Sequence, residues 1–250
     1  GKYFLSANVR RDGNSALSEN NRWGTFGGAS AGWTISQEDF FVNSTIGEKI
    51  STLRLKASWG RVGNGNLSNY YGAYNTYGAG IYGSSTSFVY SQAGNRQLKW
   101  ETSSQTNIGL DLGFVNNRLS AEVNYYNKNI DNMILGVPQS PSKGIPGNEI
   151  LLNVGSMYNR GWEFTLNATP VVNDNFKWTS SLNFSTNKNE VTGLVQDDKP
   201  ILSYTSGLEL TNITQVGYSA AQIYAVKIDG VNPENGRRIF INKDGEKVQY

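Results

Sequence analysis

The sequence predicts an all-β, antiparallel fold whose strands cross a membrane as part of a transmembrane β-barrel, and three observations carry that expectation. Residues 53–60, 107–114 and 162–168 each alternate a bulky apolar residue with a polar or tiny one, the period of a strand with one apolar and one wet face. Several such segments exceed the soluble average of about 5–6 residues and match the ~9–11 that a tilted strand needs to cross a bilayer. From the third segment onward long and short connections alternate, as in a barrel whose short turns face the periplasm.

Taken in order, strands are expected at residues 3–10, 23–35, 53–61, 99–114, 118–130, 160–170 and 176–188. The first two are joined by the moderate loop 11–22, and 36–52 is long for a periplasmic turn. Loops 62–98 and 131–159 are long, whereas Val115-Asn-Asn117 and Val172-Asn-Asp-Asn175 are tight turns. Asn-rich turns supply the left-handed backbone that tight hairpins use. Beyond Lys188 a polar connection leads to shorter strands near 218–229 and to a hairpin over 238–249 that turns at Asp244-Gly245.

Charge placement tests the assignment, because Arg or Lys at mid-membrane on the lipid side costs about 2–4 kcal/mol. Leu53, Leu55, Ala57 and Trp59 share one parity, as do Ala121, Val123 and Tyr125. Arg54, Lys56, Asp111, Glu122 and Glu163 fall on the other, so the apolar parity faces lipid and these five face the lumen. Seven strong strands and two or three weak ones are too few for a plugged barrel of about 22, so all of residues 1–250 read as part of a larger barrel domain.

Composition narrows the function. With 250 residues, 38% apolar content and a mean hydropathy of −0.46, the chain lacks the ~18-residue apolar run of a spanning helix. A barrel with a wet lumen and aqueous loops scores hydrophilic overall, so hydropathy leaves the compartment open. A net charge of +2 gives no field that would draw nucleic acid. Without Cys or His the chain lacks thiolate nucleophiles, imidazole bases and the usual zinc or haem ligands, and no cofactor or metal is expected. Its start already reads as strand and has no secretory leader, so either a leader was removed or the chain is an internal piece.

Ordered signposts add a family resemblance. They are Val9-Arg-Arg-Asp-Gly-Asn-Ser15, Ser30-Ala-Gly-Trp-Thr-Ile-Ser36, Leu53-Arg-Leu-Lys-Ala-Ser-Trp-Gly-Arg-Val-Gly-Asn64, Leu98-Lys-Trp-Glu101 and Asn107-Ile-Gly-Leu-Asp111. Asn117-Arg-Leu119, Tyr125-Tyr126, Asn153-Val-Gly155, Asn159-Arg-Gly-Trp-Glu163 and Phe184-Ser-Thr-Asn-Lys-Asn-Glu-Val191 follow in order. From Tyr3 to roughly Gly230 the chain resembles the SusC/RagA-type TonB-dependent outer-membrane transporters of Bacteroidetes. The resemblance covers the middle to late barrel and omits the family's plug, TonB-contacting segment and closing strands.

That resemblance implies active import of a large nutrient across the outer membrane of a Gram-negative bacterium. A glycan is the expected substrate and an oligopeptide the close second. The implied partners are a SusD-like surface lipoprotein as lid, the TonB complex through the missing N-terminal part, and outer-membrane lipid. Import needs no catalysis, and no enzyme activity is expected. Two other readings stay open: a siderophore-type receptor without a lid, and a surface adhesin or binding protein that transports nothing.

Candidate site residues follow from these readings. Tyr70, Tyr71, Tyr74, Tyr77, Tyr82 and Tyr90 crowd one long loop, where rings can stack on sugars or peptide side chains at the substrate or lid face. The plainer account is that they pack the loop or form an interfacial belt. Arg54, Lys56, Asp111, Glu122 and Glu163 are candidates to touch substrate or plug, against a solvated lumen paired across strands. Trp59 and Trp162 read as lipid anchors or packing residues. Glu122 and Glu163 also form a carboxylate pair of the kind glycosidases use, though charged lumens supply such pairs by chance. Residues 229–234 and 242–246 hold Ca²⁺-type oxygen ligands without EF-hand spacing, and read as turns.

Overall fold

Alternation of apolar and polar residues over long stretches fixes strands with two unlike faces, and that is what the computed structural model contains. It describes residues 1–67, 70–194, 198–204 and 210–249. In chain order the elements are β1 (Tyr3–Gly13), β2 (Trp23–Thr34), the one-turn helix α1 (Asp39–Val42), β3 (Ile50–Asn64), β4 (Thr76–Tyr82) and β5 (Ser85–Gln92). Then come β6 (Glu101–Phe114), β7 (Leu119–Asp131), β8 (Ile134–Pro138), β9 (Glu149–Asn153), β10 (Ser156–Val172) and β11 (Lys177–Gly193). The seven strands expected from the sequence form one antiparallel meander, β1-β2-β3-β6-β7-β10-β11. Five of the seven reach beyond an expected end, and β10 and β11 reach 17 residues each.

Register sorts the side chains by face. Leu55, Leu110, Val123, Phe164 and Phe184 form one continuous rung across β3, β6, β7, β10 and β11. The next apolar rung holds Ala57, Ile108, Tyr125 and Trp162. Tyr125 and Trp162 rings pack at 5.0 Å, Trp162 stacks on Phe164 at 6.2 Å, and Phe164 meets Phe184 at 6.1 Å. On the opposite face run Arg54, Asp111, Glu122, Thr165 and Asn183, then Lys56, Gly109, Asn124, Glu163 and Ser185.

Phe26 and Phe4 break the alternation, and both lie against glycines. Phe26 points to the polar face and is buried against the edge of Trp100 at 5.4 Å, over Gly24 and Gly63, where a Cβ would collide with its ring. Phe4 lies beside Gly32 and under the Arg54 guanidinium, 5.6 Å from its ring centre.

The ends of the sheet differ as expected. Loops 14–22, 65–100 and 132–155 leave from one end, and 35–49, 115–118 and 173–176 close the other. Val115, Asn116 and Asn117 all adopt left-handed φ of 51–62°, and Asn117 accepts from the Ser51 and Thr52 hydroxyls. Left-handed backbone is also expected at Asn173-Asp-Asn175, and there the structure differs: no positive φ occurs. Instead the Asn173 side chain accepts from the Asn175 and Phe176 amides, closing the turn as a side-chain mimic of backbone.

The long connection 35–49 is folded rather than loose. Glu38 accepts from the Tyr3 hydroxyl, from Trp33 Nε1 at 3.1 Å and from Lys2 Nζ at 3.2 Å. The Tyr3 hydroxyl foremost, then Trp33 and Lys2, holds the Glu38 carboxyl below its ordinary value of 4.5.

Most buried apolar residues gather among the long loops rather than in the sheet: Leu17, Ala73, Leu98 and Val154 are all inaccessible or nearly so. The two stretches expected as long loops carry hairpins, β4–β5 and β8–β9. Their strands are short and interrupted by Gly78, Gly80 and Gly136, which hides their period. The expected strand at 218–229 is broken into β14 (Gln222–Ile223) and β15 (Ile228–Val231), with Ala221 at φ 54°. Before it stand β12 (Ile201–Tyr204) and β13 (Leu210–Thr214), and after it the expected hairpin forms from β16 (Arg238–Ile241) and β17 (Lys247–Gln249), turning through Gly245 at φ 83°.

Candidate functional site

Lys56 is the hub of the polar face. Its ammonium lies 2.6 Å from Asp111 Oδ1 and 2.7 Å from Glu122 Oε1, and Asn124 Nδ2 donates to the same Glu122 oxygen at 3.1 Å. Asp111 and Glu122 stand directly opposite each other in register, so the lysine bridges two like charges that would otherwise repel. With Glu122 held in this way, a glycosidase pair with Glu163 loses one of its two free carboxylates.

Arg54 stands directly opposite Asp111 in register but makes no ion pair among the described residues; its cation rests on Phe4. Together with Lys56, Ser58 and Asn107 it lines a cavity of about 580 Å³ on this face. Glu163 sits apart from the lysine cluster, opposite Asn124. The five polar-face candidates therefore share one wall, but only Lys56, Asp111 and Glu122 touch.

The tyrosine loop is likewise divided. Tyr77 and Tyr90 are cross-strand partners in the β4–β5 hairpin with centroids 5.4 Å apart, and the Tyr90 hydroxyl donates to Asn75. Gln92 Nε2 is anchored on the carbonyls of Tyr71 and Tyr74. Tyr70 and Tyr82 are 87% and 84% exposed, and Phe88 of the same hairpin as Tyr82 is 88% exposed. Two rings thus serve the hairpin itself, and the outermost ones project from it.

Several signposts have structural duties at the long-loop end. Asn153 Nδ2 donates to the Lys99 and Asn132 carbonyls, and its Oδ1 accepts from the Lys99 amide. Glu101 accepts from Asn64 Nδ2 and from the Ile134 amide, and Trp100 Nε1 donates to the Arg22 carbonyl. They knit the roots of three loops into one body. The oxygen-rich stretches 229–234 and 242–246 lead through turns: Asn232 and Asn242 side chains accept backbone amides, and Lys247 pairs with Asp229 of β15 at 2.7 Å.

Comparison with known proteins decides what this sheet is. A family profile described as "TonB dependent receptor-like, beta-barrel" matches residues 1–230. The chain belongs to the TonB-dependent receptor β-barrel family. It is a segment of an outer-membrane barrel of SusC/RagA type. TonB-dependent receptor P39 of Formosa agariphila is 39% identical over 79% of this chain and 18% of its own length. TonB-dependent receptor SusC of Bacteroides thetaiotaomicron is 32% identical over 98% of this chain and 25% of its own. The RagAB peptide transporter structure superposes on the whole chain with a TM-score of 0.85 and 29% identity, using 27% of that chain. The chain thus spans about a quarter or less of the relatives it matches. The apolar rungs and the polar Lys56 side are the two unlike faces that strands of such a barrel carry.

One residue escaped sequence reasoning. Parity alone puts Tyr126 on the lumen face, but its partner Gly161 and the Asn187 that receives its hydroxyl bond lie on other strands. Only register joins the three. A tyrosine on the wet parity is the one local signal.

Proposed function

We propose that these residues form part of the barrel of an energy-coupled outer-membrane importer for a large nutrient, a glycan first and an oligopeptide second. A SusD-like lipoprotein covers it on the cell surface, and TonB drives it through a segment outside this chain. The observation that carries the reading is the match of the entire seven-strand sheet to RagAB at a TM-score of 0.85, beside 32% identity to SusC.

The glycan reading draws support from the lumen wall. Apart from the Lys56 cluster it is built largely of neutral amides and hydroxyls, among them Ser30, Ser58, Asn107, Asn124, Asn183 and Asn187. Such groups suit sugar hydroxyls. The same groups also serve peptide backbone, and the peptide transporter named among the structural relatives keeps that substrate class as the second reading. Tyr70, Tyr71 and Tyr82, with the rest of the β4–β5 region, offer substrate or lid an aromatic surface. Arg54, with no carboxylate partner among the described residues, faces whatever fills the barrel.

The test is to purify the full-length protein from outer membranes in mild detergent, identify stoichiometric partners by mass spectrometry, and follow uptake of labelled oligosaccharides and oligopeptides. A bound surface lipoprotein and TonB-dependent glycan uptake are expected. A lone barrel would favour the siderophore-type receptor, and binding without uptake would favour the adhesin.

A further inference from the structure

Tyr126 lies in the outer half of β7, between Asn107 of β6 and Gly161 of β10 in register. Its hydroxyl donates to Asn187 Oδ1, 2.9 Å away on β11, the strand beyond β10. To reach that oxygen the ring must cross β10 at Gly161, where a Cβ would come within 2.8 Å of the tyrosine hydroxyl and would collide with the Thr186 carbonyl. The side chain therefore reaches across β10 to β11 on the polar face of the sheet, over the one position of β10 in its path that has no side chain.

The space beside it is a cavity of about 310 Å³ lined by Gln105, Asn107, Asn124, Tyr126, Lys128 and Glu163. That volume is at the small end of the ~300–1,000 Å³ typical of ligand sites, room for one ring of a chain rather than a whole ligand. Glu163 and Lys128 make no hydrogen bond or ion pair among the described residues, so a carboxylate and an ammonium stand free on one wall with charges that cancel. Gln105 donates to Asn107 at 2.7 Å and Asn124 donates to Glu122, which leaves the amide oxygens of Gln105 and Asn124 as acceptors.

We propose that this cavity is a saccharide subsite on the lumen wall, with Tyr126 as its stacking floor and Glu163, Lys128, Asn124 and Gln105 as its hydrogen-bonding rim. A pyranose presents an apolar C–H face and a ring of hydroxyls that both donate and accept. The cavity offers the complement: one flat aromatic face, one acceptor-only group, one donor-only group and two amides. The cancelling charges select a neutral ring. The inference rests on the glycan reading above and assigns it residues: Tyr126 and Glu163 are specificity-determining contacts within the barrel, distinct from the exposed loop tyrosines.

The test uses the full-length protein in detergent, first on a printed array of neutral and acidic oligosaccharides and then by calorimetry with the best neutral hit. Tyr126→Ala is expected to weaken binding about tenfold, whereas Tyr126→Phe, which keeps the ring, stays within about threefold. Glu163→Gln is expected to cost about fivefold. Heat-modifiable gel mobility checks that each variant is a folded barrel; should Tyr126→Ala misfold, Glu163→Gln and Lys128→Gln carry the test. If the wild type binds a glycan and the folded variants bind it equally well, the subsite is wrong while the glycan reading stands. If the wild type binds oligopeptides and no glycan, the glycan reading falls and the subsite with it.

Discussion

Replacing Lys56 by Met removes the cation that bridges two carboxylates while keeping much of the apolar stem. Asp111 and Glu122 are direct cross-strand partners, and one ammonium touches an oxygen of each at 2.6 and 2.7 Å, which places those oxygens roughly 5 Å apart at most. Two like charges at that spacing repel by about 0.8 kcal/mol in water and about 3 kcal/mol at an effective dielectric of ~20. Their side chains are 25% and 43% exposed, so solvent screening reduces the upper figure, and about 1–2 kcal/mol of destabilisation is expected. The assay is a urea titration of the full-length barrel in lipid vesicles at pH 8, followed by tryptophan fluorescence. The neutral triple variant, Lys56→Met with Asp111→Asn and Glu122→Gln, should recover most of the loss, because the repulsion is gone. A single variant as stable as wild type, or a triple variant no better than the single, would refute the electrostatic account.

Leu110→Arg puts a charge into the central apolar rung and should cost about 2–4 kcal/mol, seen as a fall in the fraction that inserts into vesicles. Gly161→Ala must part β10 from the Thr186 carbonyl or displace Tyr126, and a loss of about 1–3 kcal/mol in the same urea assay is expected. The Glu38 carboxyl is held below its ordinary 4.5, so its contribution is present above that pH and disappears as pH falls through the lowered value. Wild type should therefore exceed Glu38→Gln in thermal stability at pH 7 and converge with it in acid; parallel curves would exclude the linkage. Residues 1–250 expressed alone should aggregate, since the open edges of β1 and β11 leave backbone groups without partners in lipid; a soluble monomer would count against the barrel.

Period-two alternation by itself determined the seven strands, the two faces and the parity of Arg54, Lys56, Asp111, Glu122 and Glu163, because a strand's side chains alternate regardless of what it pairs with. Ordered signposts determined the TonB-dependent family over nearly the whole stretch that the family profile matches. The hairpins β4–β5 and β8–β9 stayed hidden, since glycines and short strands erase the period, and the Asn173 turn is closed by a side chain where left-handed backbone was expected. What only the tertiary structure decided is which residues on a face meet. Lys56 reaches Asp111 and Glu122 from three different strands, and Tyr126 finds Gly161 and Asn187 on two others. Those meetings depend on strand register, a long-range property set by turn geometry and by the pairing of whole rungs, and no local stretch of sequence contains it.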